Sequence, residues 1–172
     1  PNKIFHLEND ANSAALGEYY FSGGDISDSF IFVTLGTGIG SAAIINGKIF
    51  AGADGNGMEL GHILSKNGRQ LEENIGKAGI IAHARELLKN IPSAISYEGD
   101  IDPKQIVSQG QNGDQVGVLV FERVGELLGE ALVAVIRLLD IKTVLIGGGL
   151  SVSFDILYGK LRNTLENNLT PY

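Results

Sequence analysis

From Phe30 to Phe50 the apolar residues run nearly unbroken, interrupted only by glycine-rich or Asn-Gly turns, whereas from Leu71 onward they recur every three or four positions. The first pattern predicts buried strands and the second amphipathic helices. Phe30 to Leu35 reads as a strand and Ser41 to Ile45 as another. Asn46-Gly47 then predicts a type I′ turn into Lys48-Ile49-Phe50, because both turn residues tolerate positive φ. Ahead of this meander, Ile4 to Leu7 is expected to be a short strand. An Ala-rich helix follows from about Ala11 to Tyr20, which Asn9 or Asp10 can cap.

Ala51 to Gly61 is a glycine-rich loop, and Leu71 to Asn90 is expected to form one helix. Its apolar face carries Ile80, Ile81, Ala84, Leu87 and Leu88, opposite His83, Arg85 and Glu86. Asp102-Pro103 opens a short helix, as cap and first helical residue. Helical spacing from Val118 through Phe121, Leu128, Val135 and Leu139 then marks a long one ending near Asp140. Lys142 to Ile146 is a strand that runs into three glycines, and Ile156, Leu157, Leu161 and Leu165 define a last helix. The order of strand and helix, meander, helices, strand and helix is a mixed α/β layout.

Composition narrows the partners. The 172 residues are 44% hydrophobic and 19% charged, the balance of one compact globular domain. A net charge of −7 with no basic run argues against nucleic-acid binding through this segment, since phosphate contacts need a basic face. The absence of cysteine excludes disulfides and thiolate metal sites. The apolar runs are too short to span a bilayer and no signal-like segment opens the chain, so a soluble, cytoplasmic setting without membrane contact is expected.

Three features could carry chemistry. Gly36-Thr37-Gly38-Ile39-Gly40 lies between two strands, so it is no dinucleotide fingerprint, which requires a helix after the glycines. It is either a tight hairpin or a turn whose backbone N–H groups and Thr hydroxyl face a phosphate. Gly147-Gly148-Gly149, between strand and helix, either admits a ligand to the backbone or satisfies packing. Asp10 could accept an alcohol proton or simply cap a helix. Glu59 and His62, three apart, would share one side of a helical turn and could grip one polyol. Glu72 could join them or serve a helix dipole.

Taken in order, Glu8 to Asn12, Leu35 to Gly40, Ala51 to His62, Leu71-Glu72 and Val144 to Leu150 resemble the ROK family (repressors, open reading frames and kinases) of the actin/hexokinase-like superfamily. The resemblance implies a ribonuclease H-like ATPase domain, a mixed sheet with flanking helices. It makes residues 1–172 a single C-terminal sugar- and nucleotide-binding domain of a longer protein. It implies that Asp10 is the catalytic base and that Asn9, Glu59, His62 and Glu72 bind the sugar. Gly36, Thr37 and Gly38 then serve the phosphates, and Gly147, Gly148 and Gly149 the adenosine. ATP with Mg²⁺ is the implied cofactor, and a small-molecule sugar and a nucleotide the implied partners, in an expected homo-oligomer. The implied activity is phosphoryl transfer from ATP to a sugar hydroxyl, with a sugar-sensing domain of a transcriptional repressor as the alternative. The chain departs from the family in two ways. It has no cysteine between His62 and Glu72, so no structural zinc is expected, and it lacks the upstream lobe with an Asp-Gly-Gly-Thr-type phosphate loop, without which the segment alone is not expected to be a competent kinase.

Overall fold

A computed structural model describes residues 8–24, 26–95 and 100–169. The strand expected at Ile4 to Leu7 lies outside the described residues. The chain runs α1 (Asp10–Phe21), β1 (Phe30–Leu35), β2 (Ile39–Ile45), β3 (Lys48–Ile49), α2 (Leu71–Ile75), α3 (Lys77–Leu87), α4 (Pro103–Gln111), α5 (Gln115–Leu139), β4 (Val144–Gly147) and α6 (Phe154–Asn168). Short 3₁₀ turns occupy Leu60–His62 and Ser151–Ser153.

The strands order as β3-β2-β1-β4. β1 and β2 pair antiparallel, from Phe30 opposite Ile44 to Leu35 opposite Ile39, while β4 pairs parallel to β1 with Thr34 opposite Gly147. Asn46 and Gly47 take φ of 51° and 74°, the conformations a type I′ turn needs.

Both sheet faces are buried, which explains why β1 is apolar without alternation. Phe30, Phe32, Ala42 and Ile44 face α1 through Ala11 and Ala15. Ile31, Val33, Leu35, Ile39 and Ala43 face the helical layer, whose core includes Phe121, Leu128, Leu132 and Leu157.

The helix expected from Leu71 to Asn90 is two helices. Gly76 is extended, with φ −71° and ψ 175°, and ends α2 after five residues. The break lets Lys77 N donate to Thr37 O at 3.1 Å, so a tertiary hydrogen bond replaces helical continuity. β2 begins at Ile39 rather than Ser41, because Ile39 already pairs with Leu35. The glycine turn is thereby confined to Gly36–Gly38. His83 belongs less to the solvent than its periodicity implies: its side chain is 18% exposed and contacts Arg123 of α5.

Candidate functional site

The segments that carry the expected sugar-side residues dock around the first residues of β2. At Gly40, Ala11 approaches so closely that an added Cβ would lie 3.3 Å from its methyl. α1 thus docks by its first turn against the strand, carrying Asn9 and Asp10 with it. Asn9 is the N-cap: its Oδ1 accepts from Ala11 N at 2.8 Å and Asn12 N at 3.3 Å. Asp10 is exposed and accepts only from Ala11 N, at 2.8 Å, leaving its other oxygen open among the described residues. Glu8 accepts from Asn12 Nδ2 at 2.8 Å and Asn9 N at 3.0 Å, and the Asn12 bond holds its carboxyl below its ordinary value.

Gly61 sits on the next residue, where an added Cβ would stand 2.5 Å from Ile39 O. Buried Ser41 secures this approach: its hydroxyl donates to Met58 O and accepts from Leu60 N at 3.1 Å. Held between them, Glu59 and His62 face each other, Oε2 to Nδ1 at 3.4 Å, with both side chains largely open to solvent. Glu72 arrives from α2. Its Oε2 accepts from Ile39 N at 2.9 Å, and a Cβ at Gly38 would overlap that carboxylate. Glycine at 38 is therefore what admits Glu72 to the strand end. Glu72 also lies in the first turn of α2, so both readings of this residue describe one position.

The Gly36–Gly38 turn also borders a cavity of about 300 Å³, lined by Gly36, Thr37, Gly149, Leu150, Lys77 and the Asp102-Pro103-Lys104 segment. Gly148, at φ 89°, presses on β1, where an added Cβ would meet Leu35 O at 2.5 Å, and Leu150 N donates to the same carbonyl at 2.9 Å. Of the five glycines and one threonine expected to serve the nucleotide, Gly36, Thr37 and Gly149 line the cavity, while Gly38, Gly147 and Gly148 shape the backbone around it.

Sequence reasoning missed Ser41, Lys77 and Lys104. Ser41 carried a signal, being a hydroxyl in an otherwise apolar strand. The two lysines carried none, because only the tertiary fold brings α3 and α4 to the turn. Neither lysine forms an ion pair among the described residues.

No group of three or more His, Cys, Asp or Glu among the described residues is placed to hold a metal. No described helix is long and apolar enough to cross a membrane.

Sheet order, flanking helices and a ligand-sized cleft at the strand ends define the actin/hexokinase-like ATPase fold. The ROK family pattern matches residues 2–172, and the chain belongs to the ROK family. It is 33% identical to a glucokinase of Thermotoga maritima over 98% of this chain and 57% of that one. It is 29% identical to a xylose repressor of Caldicellulosiruptor bescii over 96% of this chain and 45% of the other. Among solved structures, a ROK family glucokinase from Streptomyces griseus in complex with glucose and AMPPNP superposes with a TM-score of 0.82 at 29% identity, over 96% of this chain and 60% of that one. The chain spans about half the length of the curated relatives it matches.

Proposed function

We propose that residues 1–172 form the sugar- and nucleotide-binding domain of an ATP-dependent sugar kinase. The observation that carries this reading is the docking of the Glu72 carboxylate, the Leu60–His62 turn beside Glu59 and the first turn of α1 with Asp10 on residues 38–40, next to a cavity lined by Gly36 and Thr37 of the same turn. Carboxylates and an imidazole suit a polyol, whose hydroxyls both donate and accept. Backbone N–H groups and unpaired lysines suit phosphates.

In the reaction, a sugar hydroxyl oxygen bonds to the γ-phosphorus of ATP as the bond to the β,γ-bridging oxygen breaks. ADP leaves, and the hydroxyl proton passes to the open oxygen of Asp10. Asn9, Glu59, His62 and Glu72 orient the sugar. Gly36, Thr37 and Gly38 hold the phosphate chain, with Lys77 and Lys104 offsetting its charge; Gly147 and Gly148 pack the strand end against β1, and Gly149 leaves room for the nucleoside. Mg²⁺, which commonly takes most of its ligands from phosphate oxygens and water, would neutralise phosphate charge here. The protein is proposed to work in the cytoplasm as a homo-oligomer.

The test is glucose-dependent ADP release by the full-length protein, glucose being the first sugar to try because it occupies the Streptomyces griseus relative. Turnover that vanishes in Asp10→Asn supports the reading, and turnover at the wild-type rate in that variant removes Asp10 from the mechanism. The similarity to a xylose repressor favours a second reading, in which the same cluster senses a sugar for transcriptional control. Sugar binding without any ADP release by the full-length protein would favour it.

A further inference from the structure

Between His62 and Glu72 the chain doubles back on itself. Ser65 N donates to Arg69 O at 2.8 Å, Gly68 N to Ser65 O at 2.9 Å, and Leu71 N to Ile63 O at 2.9 Å. Apolar burial anchors only the end of this loop, through Leu71, for Ile63 and Leu64 are both exposed. What reaches inward is an amide. Asn67 Nδ2 donates to Asn74 Oδ1 at 2.8 Å, and Asn74 Nδ2 donates back to Asn67 Oδ1 at 3.2 Å and to Gln70 O at 3.1 Å. Arg123 of α5 lies behind the pair, with Nη2 3.5 Å from Asn74 Oδ1 and Nη1 3.0 Å from His83 Nδ1. Lys66, at the tip of the loop, pairs with Glu130 of the same helix.

Asn74 is 3% exposed, and both its donors and both its acceptor sites are used. A buried amide so saturated has one orientation, and rotating or removing it strands several partners at once. It lies two residues beyond Glu72 on α2, a helix of five residues that is too short to be rigid by itself.

We propose that Asn67 and Asn74 form an amide clasp, braced by Arg123, that positions the Glu72 carboxylate against Ile39 and so fixes the sugar-binding edge. Neither asparagine touches the sugar; both are positioning residues. The proposal rests on the reading of Glu72 as a sugar ligand, but the clasp can be observed without any sugar, through the Ile39 N–H that donates to Glu72.

The experiment uses the full-length protein as wild type, Asn67→Ala, Asn74→Ala, the double variant and Asn74→Asp. Residue-resolved amide exchange at Ile39 reports the carboxylate, and glucose KM and kcat report the site. Asn67→Ala and Asn74→Ala are each expected to speed Ile39 exchange and raise KM by about 3–10-fold, with kcat within about twofold. The double variant should be no worse than Asn74→Ala, because both changes break one pair. Asn74→Asp keeps the acceptor but not the donors and should fall between. If Asn74→Ala does not fold, the exposed Asn67 carries the test. Unchanged Ile39 exchange in Asn67→Ala, with faster exchange confined to 63–71, would overturn the proposal. Wild-type protein that neither binds nor phosphorylates glucose would tell against the kinase reading for that sugar, while Ile39 exchange would still decide whether the clasp holds Glu72.

Discussion

The two faces of the sheet are covered very differently. On one, α1 is the single helix among the described residues that packs, through Ala11 and Ala15, helped by Tyr19, which stacks on Phe30 and donates to Asp28 at 2.8 Å. On the other, five helices bury a continuous core including Phe121, Leu128, Leu132 and Leu157. Alanine contributes little apolar area, so α1 is joined to the sheet by closeness more than by burial. That closeness brings Asn9 and Asp10 to Gly40, where a larger residue at 11 would hold them off. The proposed recognition residues Glu59, His62 and Glu72 belong instead to segments tied into the thick face. In this site the proposed proton acceptor and the proposed sugar ligands come from opposite sides of one sheet and meet only at its end.

Four experiments would break or sharpen this contrast, the first with the largest expected effect. Asp10→Asn keeps the oxygen that accepts from Ala11 N but cannot take up a proton, so kcat should fall about 10²–10⁴-fold with sugar affinity nearly unchanged. A coupled ADP assay beside calorimetry checks it. The packing asymmetry itself predicts that Leu128→Ala loses about 2–5 kcal/mol in denaturant unfolding, against about 1 kcal/mol for Ala15→Gly in α1. Equal losses would show that the thin face is held as firmly as the thick one.

Alanine at Glu59, His62 or Glu72 should weaken sugar binding, each lost charge-assisted hydrogen bond being worth about 1.5–3 kcal/mol. Wild-type affinity in all three would place the sugar elsewhere. The smallest effect concerns His83. Burial first, and then the neighbouring Arg123 charge, lower its pKa below the ordinary value of 6.5, with Glu86 opposing. The fold therefore prefers neutral His83, and its contribution is present above the unfolded pKa and lost as pH falls through the depressed folded one. His83→Gln should flatten that acid loss in stability measured against pH, and an unchanged slope would show that other groups govern it.

Much of the fold was legible because it rests on local rules. Unbroken apolar runs marked the strands, Asn46-Gly47 the turn, and Asp102-Pro103 a helix start, all within a residue or two of where they lie. The candidate sugar-side residues were picked out through ordered motifs, but their roles were not separable. Asn9 and Asp10 both suited a cap until the geometry gave the cap to Asn9 and left Asp10 an open oxygen. The split of α2 from α3 was illegible because Gly76 in a helical pattern is tolerated locally. Its extended conformation is decided by the Lys77 to Thr37 hydrogen bond, between residues 40 positions apart.

Alone, then, the amino-acid sequence determined the elements, the family and the inventory of carboxylates, imidazole and glycines, since each depends on neighbours along the chain. Only the tertiary structure decided that Gly38, Ile39 and Gly40 are the common support for α1, the Leu60–His62 turn and Glu72, that Lys77 and Lys104 face the same cavity, and that Asn74 closes the loop after His62. All but the Asn74 contact join residues tens of positions apart, and their existence depends on packed distances of a few ångströms that no local pattern of polarity encodes.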